Sequence, residues 1–322
     1  MALPPLQGFD LGDLALAGGG VLPSARLTWR SWGRLAPDGR NAVLIPSHYT
    51  GDSGSSAGII GAGRALDPAR WFIVATDLFG NGRASSPSHA GSAATRLAFP
   101  SVSVADNVHA QRRLLEHLGV RQLALVQGWS MGALQAWHWA ALYPAFVRAI
   151  LPVCGASGCW PLNRVFLKGL KQTLLVDPAF RAGEPRPEAG LRAFARVYAG
   201  WAYSDAFWRE ARWRDWGFAS EEAFLRDWEE DHLTHDAHDL AAVLDTWAGA
   251  NLAQALGVEG VPLALARVQA RVIAMPCRTD RYFTLFENAI EVGHTAGAQL
   301  RVIDSDLGHV AGGPGRHADE SR

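Results

Sequence analysis

The chain has 322 residues, 48% of them hydrophobic, which is enough for one large α/β domain or two small ones with a sizeable core. Its 30 Lys and Arg balance 31 Asp and Glu for a formal net charge of -1, and without a basic block this argues against a nucleic-acid partner. The first charge is Asp10 and the first basic residue Arg26, so the N-terminus lacks the features of a signal peptide and a cytoplasmic protein is expected.

Short β-branched or apolar runs alternate with helical patterns along the chain, which predicts a mostly parallel sheet with helices on both faces. Strands are expected at 26–32, 42–45, 71–75, 123–126, 149–153, 271–275 and 299–303, and helices at 104–118 and 131–142. Residues 122–146 carry no Asp, Glu, Lys or Arg. Gln127, Gly128, Ser130, Gly132 and Pro144 interrupt that stretch, so it reads as a buried strand and a buried helix and not as a membrane span. From about 155 to 257 the strands vanish, and helical periodicity with many aromatics takes over. The chain thus divides into a core of residues 1–155 and 256–322 and a helical cap inserted at 156–255. The cap holds seven of the 13 tryptophans, Trp160, Trp201, Trp208, Trp213, Trp216, Trp228 and Trp247. These are anchors for a small helical layer, or in part the lining of an apolar pocket. Cys154, Cys159 and Cys277 cannot all pair and form no C-x-x-C motif, so reduced, mostly buried thiols are expected.

The chemistry concentrates at Gly128-Trp129-Ser130-Met131-Gly132, between the run 123–126 and the helix that follows. A serine hydroxyl becomes a competent nucleophile when a sharp strand-to-helix turn holds it out beside a base, and flanking glycines make room for such a turn. In this architecture the order is Ser, then Asp or Glu, then His. Asp280 lies in the loop after the strand at 271–275, and His309 lies one short loop after the last strand. A parallel sheet would gather all three on one edge. Asp304 and Asp306 are rival acids but lie very near His309 in sequence, and His317 falls in a polar tail. His48 reads as structural. Negative charge built on the carbonyl oxygen requires preorganised N–H groups. These are expected from the amide of Met131 and from the backbone of Tyr49, in a loop where Gly51 permits a tight turn.

Other signals carry less. His232, His235 and His238 recur at spacings of three, which drift round a helix instead of forming the i, i+4 pair that suits zinc, and no metal is expected. Gly61-Ala62-Gly63 and Gly80-Asn81-Gly82 are followed by Leu66 and Ser85 where a dinucleotide loop needs a third Gly or Ala, so they read as turns.

With these residues placed, the chain resembles the homoserine O-acetyltransferase family of the α/β-hydrolase superfamily over nearly its whole length. The resemblance runs through Asn41-Ala42-Val43-Leu44, Thr50-Gly51-Asp52, Asp67-Pro68-Ala69-Arg70-Trp71-Phe72, the motif around Ser130, Asp177-Pro178, Asp236-Ala237-His238 and Leu244-Asp245. It implies an α/β-hydrolase fold, Ser130, Asp280 and His309 as the triad, acyl transfer from acyl-CoA to an alcohol, and a homodimer built through the cap. Two positions depart from it. Lys171 stands where the resemblance implies an arginine for the acceptor's carboxylate, and a point charge is a poor substitute for a bidentate fork. Val310 follows the histidine where an aspartate suited to the acceptor's ammonium is implied. Lys171, Trp129 and Val310 are the candidate substrate-binding residues.

The expected activity is serine-dependent acyl transfer from a small-molecule ester or thioester. Hydrolysis ranks first, because without a site shaped for homoserine water is the easiest acceptor. Acyl-CoA-dependent O-acyl transfer ranks second and a non-catalytic binding protein third. No cofactor is expected, acyl-CoA entering only as a co-substrate of the second reading, and neither membrane nor nucleic acid is an expected partner.

Overall fold

The computed structural model describes residues 3–314. Eight strands form one sheet: β1 (Gln7–Ala15), β2 (Val21–Trp32), β3 (Ala42–Pro46), β4 (Phe72–Thr76), β5 (Leu123–Trp129), β6 (Ala149–Val153), β7 (Arg271–Ala274) and β8 (Gln299–Leu300). Their order is β1-β2-β4-β3-β5-β6-β7-β8, with β2 antiparallel to β1 and β4 and every other pairing parallel. All five residues of β3 are buried, as expected of an apolar run in a strand covered on both faces.

The strand expected at 26–32 is the second half of β2, while β1 and the first half of β2 are the part that the expected strands miss. β1 contains Gly8, Asp10, Gly12 and Asp13, residues of low strand propensity, and its pairing shifts register on both sides of Gly12. The turn passes through Gly19 and Gly20 at φ +92° and +83°, which only glycine adopts without strain. The hairpin is held by packing, with Leu11, Leu14, Leu22 and Leu27 all buried. At the other edge, β8 is two residues long, shorter than expected.

The core helices are α1 (Ala93–Leu97), α2 (Val104–His117) and α3 (Met131–Leu142). α2 opens on a capping box, in which Ser103 Oγ accepts from the Asp106 amide and the Asp106 carboxylate accepts from the Ser103 amide. α3 is apolar on every side and buried along eleven of its 12 residues, which is why its charge-free sequence need not imply a membrane. Its two long polar side chains are partnered: Gln135 donates to the Ser47 carbonyl at 3.0 Å and accepts from Gln111 at 2.6 Å, and His138 Nδ1 meets the Leu134 carbonyl at 2.8 Å. Among the described residues no helix is long and apolar enough to cross a membrane.

Between β6 and β7 come only helices: α4 (Pro161–Leu175), α5 (Pro178–Arg181), α6 (Glu188–Ala202), α7 (Asp205–Arg209), α8 (Glu221–His232), α9 (Ala237–Ala248), α10 (Leu252–Leu256) and α11 (Val261–Leu265), with a 3₁₀ turn at Arg212–Trp216. Phe207, Trp208, Trp216 and Phe224 form one ring cluster with Tyr203, so part of the aromatic content anchors this layer. The three cysteines are free and buried.

Where the chain leaves the sheet for these helices, it is tied to α12 (Leu285–Gly293) by the buried Glu291. This carboxyl accepts from the Ser157 amide at 2.9 Å, from Ser157 Oγ at 2.8 Å and from Trp160 Nε1 at 2.9 Å. Burial pushes it up from 4.5 to about 7. Between those two values the unfolded chain has released a proton that the folded chain keeps, so this group's contribution to stability falls as pH rises through the window. Glu291→Gln, which cannot ionise, is expected to gain on the wild type in melting temperature between pH 5 and pH 8. An equal difference at both values would contradict this.

Candidate active site

Ser130 sits between the end of β5 and the first residue of α3 with φ +57° and ψ −123°, a conformation that L residues rarely adopt. The flanking glycines are required by contact. A Cβ on Gly128 would lie 2.1 Å from the Gly132 carbonyl, and one on Gly132 would lie 2.6 Å from the Pro46 oxygen. The Ser130 amide donates to the Val153 carbonyl at 2.9 Å, pinning the turn to the next strand.

Asp280 and His309 reach the same edge from the loops after β7 and β8. Asp280 Oδ1 accepts from the amides of Tyr282 at 2.7 Å and Phe283 at 3.2 Å, which leaves Oδ2 for His309 Nδ1 at 2.8 Å. A carboxylate only accepts, so Nδ1 carries the proton and donates. Nε2 is then the lone-pair nitrogen, and Ser130 Oγ donates to it at 2.9 Å. The chain of three side chains is buried, with His309 ringed by Trp129, Tyr282 and Phe283 at centroid distances of 4.9, 4.6 and 5.6 Å. His309 is presented on the 3₁₀ turn Gly308–Val310, where Gly308 has φ +73° and a Cβ would lie 2.7 Å from the Ser204 amide nitrogen. Thr279 Oγ1 accepts from the Gly308 amide and donates to the Ser305 carbonyl, which couples the acid loop to the histidine loop. Of the rival acids, Asp304 pairs with Arg278 at 2.7 Å on the surface, and the Asp306 carbonyl accepts from Ser204 Oγ. His317 lies outside the described residues.

Met131 is the first residue of α3, so its amide has no partner one turn back and lies at the positive end of the helix. The Tyr49 side chain is anchored in the cap, its hydroxyl donating to the Leu240 carbonyl at 2.8 Å and its ring packing on Phe194, Tyr198 and Trp247. Gly51 is needed for a reason the sequence does not reveal. Its φ is not positive, but a Cβ there would stand 2.2 Å from His48 Cε1.

A cavity of about 380 Å³ opens over Ser130 and His309, with Trp129, Val310 and Tyr49 in its wall and Tyr198, Tyr203 and Trp228 across from them. Some cap aromatics therefore anchor and others line. Lys171 is not brought to this cavity. Its ammonium donates to both oxygens of Asp245, at 2.6 and 2.7 Å, across α4 and α9. The substrate-binding role expected of Lys171 is thereby corrected, because its ammonium is held by Asp245 and does not line the cavity over Ser130.

Sequence reasoning passed over His48, His232 and His235, all of which line the cavity. His48 packs edge-on against Trp129 at 4.8 Å, and burial, with the neighbouring His309, pushes it down to about 4, so its ring is neutral near pH 7. Spacing on a helix cannot tell which way its end faces, which is why the histidine spacing alone did not place His232 and His235 in a cavity wall. His232 Nδ1 instead meets the Trp228 carbonyl, and His238 Nε2 the Glu184 carbonyl, with its ring stacked on Phe180 at 4.2 Å. Among the described residues no group of three His, Cys, Asp or Glu could hold a metal ion.

Comparison with known proteins bears on the fold and the family. Residues 41–209 match the family model described as alpha/beta hydrolase fold. The chain is 32% identical to an ethyl acetate hydrolase of Pseudomonas veronii over 95% of its own length and 89% of the relative. It is 32% identical to a homoserine O-acetyltransferase of Symbiobacterium thermophilum over 92% of its length and 87% of that protein. The crystal structure of an acetylester hydrolase from Corynebacterium glutamicum superposes with a TM-score of 0.90 at 32% identity, covering 95% of this chain and 90% of that one.

Proposed function

Since this chain belongs to the homoserine O-acetyltransferase-like branch of the alpha/beta hydrolase fold family, we propose that it is a serine carboxylic-ester hydrolase acting on short-chain esters. The observation that carries the proposal is the unbroken hydrogen-bonded path from Ser130 Oγ through His309 to Asp280 Oδ2, with legs of 2.9 and 2.8 Å.

In this mechanism Ser130 Oγ attacks the ester carbonyl carbon as His309 Nε2 takes its proton. The imidazolium that forms is stabilised and held by Asp280. The oxyanion is met by the amides of Met131 and Tyr49. His309 returns the proton to the leaving alkoxide, then deprotonates a water that attacks the acyl carbon; the C–Oγ bond breaks as His309 gives that proton back to Ser130 Oγ, and the acid is freed. Trp129 and Val310 flank the reacting atoms from the cavity wall. A relative named esterase in Corynebacterium glutamicum and one named ethyl acetate hydrolase, each covered over most of its length, support hydrolysis.

Transfer from acyl-CoA to an acceptor alcohol is the second reading, favoured by the relatives named homoserine O-acetyltransferase. Lys171, already engaged by Asp245, and apolar Val310 speak against an amino-acid acceptor. The two readings separate when released alcohol is followed with p-nitrophenyl acetate and released CoA with acetyl-CoA, with and without homoserine. Ester cleavage and Ser130 labelling by a fluorophosphonate are expected. CoA release that requires homoserine would reverse the order, and silence in every assay would favour a binding protein. A homodimer joined through the cap is part of the same proposal, and light scattering at the mass of one chain would remove it.

A further inference from the structure

The loop carrying Tyr49 borders more than the cavity over Ser130. A second, larger cavity of about 650 Å³ lies beyond it, and the two share Tyr49, Thr50, Gly51, Ser55, Thr234 and His235 as walls. The characters of the two differ. The first has an aromatic wall of Tyr198, Tyr203 and Trp228, suited to a small apolar group. The second is lined by hydroxyls, a carboxamide and charges that largely answer one another. Arg83 stands 3.3 Å from Asp52, and Arg96 stands 3.8 Å from Asp236. Arg186 stands at the exposed rim, and Asp239, whose Oδ1 accepts from the Ser88 amide at 2.9 Å, is pushed up to about 7 by burial. With two of its three guanidiniums paired to carboxylates and the third out at the exposed rim, the inner lining holds little unpaired charge with which to select a charged ligand.

It does select against an alkyl one. Filling this vestibule with a hydrocarbon would strip water from the Thr50 and Ser55 hydroxyls and the ion pairs and return no hydrogen bonds. A hydroxyl both donates and accepts, as these groups require. His48, on the same loop, fits the same partner. Its ring nitrogens make no hydrogen bond among the described residues, it lines the reaction cavity, and a neutral imidazole offers one donor and one acceptor.

We propose that the alcohol half of the natural substrate is a neutral, hydroxyl-rich group that lies along His48 into this vestibule, so that the enzyme deacylates short-chain esters of polyols. The inference rests on the ester-hydrolase reading above. Water adds across the acyl C–O bond, giving the short acid and the free polyol, with the leaving oxygen taking its proton from His309. The alcohol must depart while the acyl group stays on Ser130, and the vestibule, reaching solvent past exposed Arg83 and Arg186, is its exit.

The test compares 1-O-acetylglycerol with propyl acetate, which share a carbon skeleton and differ by two hydroxyls. For the wild type kcat/KM is expected to favour the glycerol ester by about tenfold or more, as in sites built to bind hydroxyls. His48→Phe, which keeps the ring on Trp129 but removes both nitrogens, and Arg186→Ala, at the exposed rim, are each expected to lower that ratio several-fold. A ratio at or below one, a ratio unmoved in both variants, or preference for the anionic ester 3-acetoxypropanoate would overturn the inference while leaving the hydrolase reading intact. Failure to cleave even p-nitrophenyl acetate would instead remove the hydrolase reading, and the inference with it.

Discussion

Ser130→Ala is expected to lower kcat on p-nitrophenyl acetate by about 10⁴-fold or more, since the oxyanion donors and binding alone sustain only residual catalysis once a triad serine is gone. The fold should survive, because the Ser130 hydroxyl contributes a single hydrogen bond, to His309, worth about 1 kcal/mol. A companion, Ser130→Gly, separates chemistry from strain. Both variants lose the nucleophile, but alanine must still adopt φ +57° and ψ −123°, whereas glycine does so freely. The glycine variant is therefore expected to be the more stable by about 1 kcal/mol in chemical denaturation, equally inactive, and blind to fluorophosphonate. Retained turnover in Ser130→Ala would end the assignment of the nucleophile. Equal stability of the two variants would mean that the turn holds no strain.

What could be read from the residues alone follows from which interactions are local. The strand–turn–helix around Ser130 is written in consecutive residues: the contact that demands Gly128 is made within the turn, although the one that demands Gly132 is with Pro46 at the end of β3. β3, buried on both faces, announces itself as an apolar run. β1 does not, since its glycines and aspartates are tolerated only because β2 pairs with it and the core covers its leucines. Side-chain direction was the least legible feature. Lys171 matched a binding position in sequence, yet the ammonium's partner, Asp245, lies 74 residues away on another helix. His48 read as merely structural because nothing in the order Ser47-His48-Tyr49 tells that its ring leans over Gly51 and Trp129 into the cavity. The same limit applied to His232 and His235, whose part in the cavity wall depends on how α8 packs against α6.

Asp280→Asn is expected to cost about 10⁴-fold in kcat with little change in KM or in stability, through the histidine tautomer and not through lost geometry. The amides of Tyr282 and Phe283 both point at Oδ1 and require an acceptor there. An asparagine would satisfy them with its carbonyl oxygen, so its NH₂ would occupy the place of Oδ2, 2.8 Å from His309 Nδ1. Nδ1 would then have to accept, the ring proton would move to Nε2, and the nitrogen facing Ser130 would become a donor where a base is needed. Asp304→Asn is the matched control. Its carboxylate pairs with Arg278 on the surface, outside the buried path, and turnover in that variant is expected to equal the wild type. Steady-state kinetics on one chromogenic acetate decides between them. A large loss in Asp304→Asn with a small one in Asp280→Asn would exchange their roles and break the proposed path at its acid.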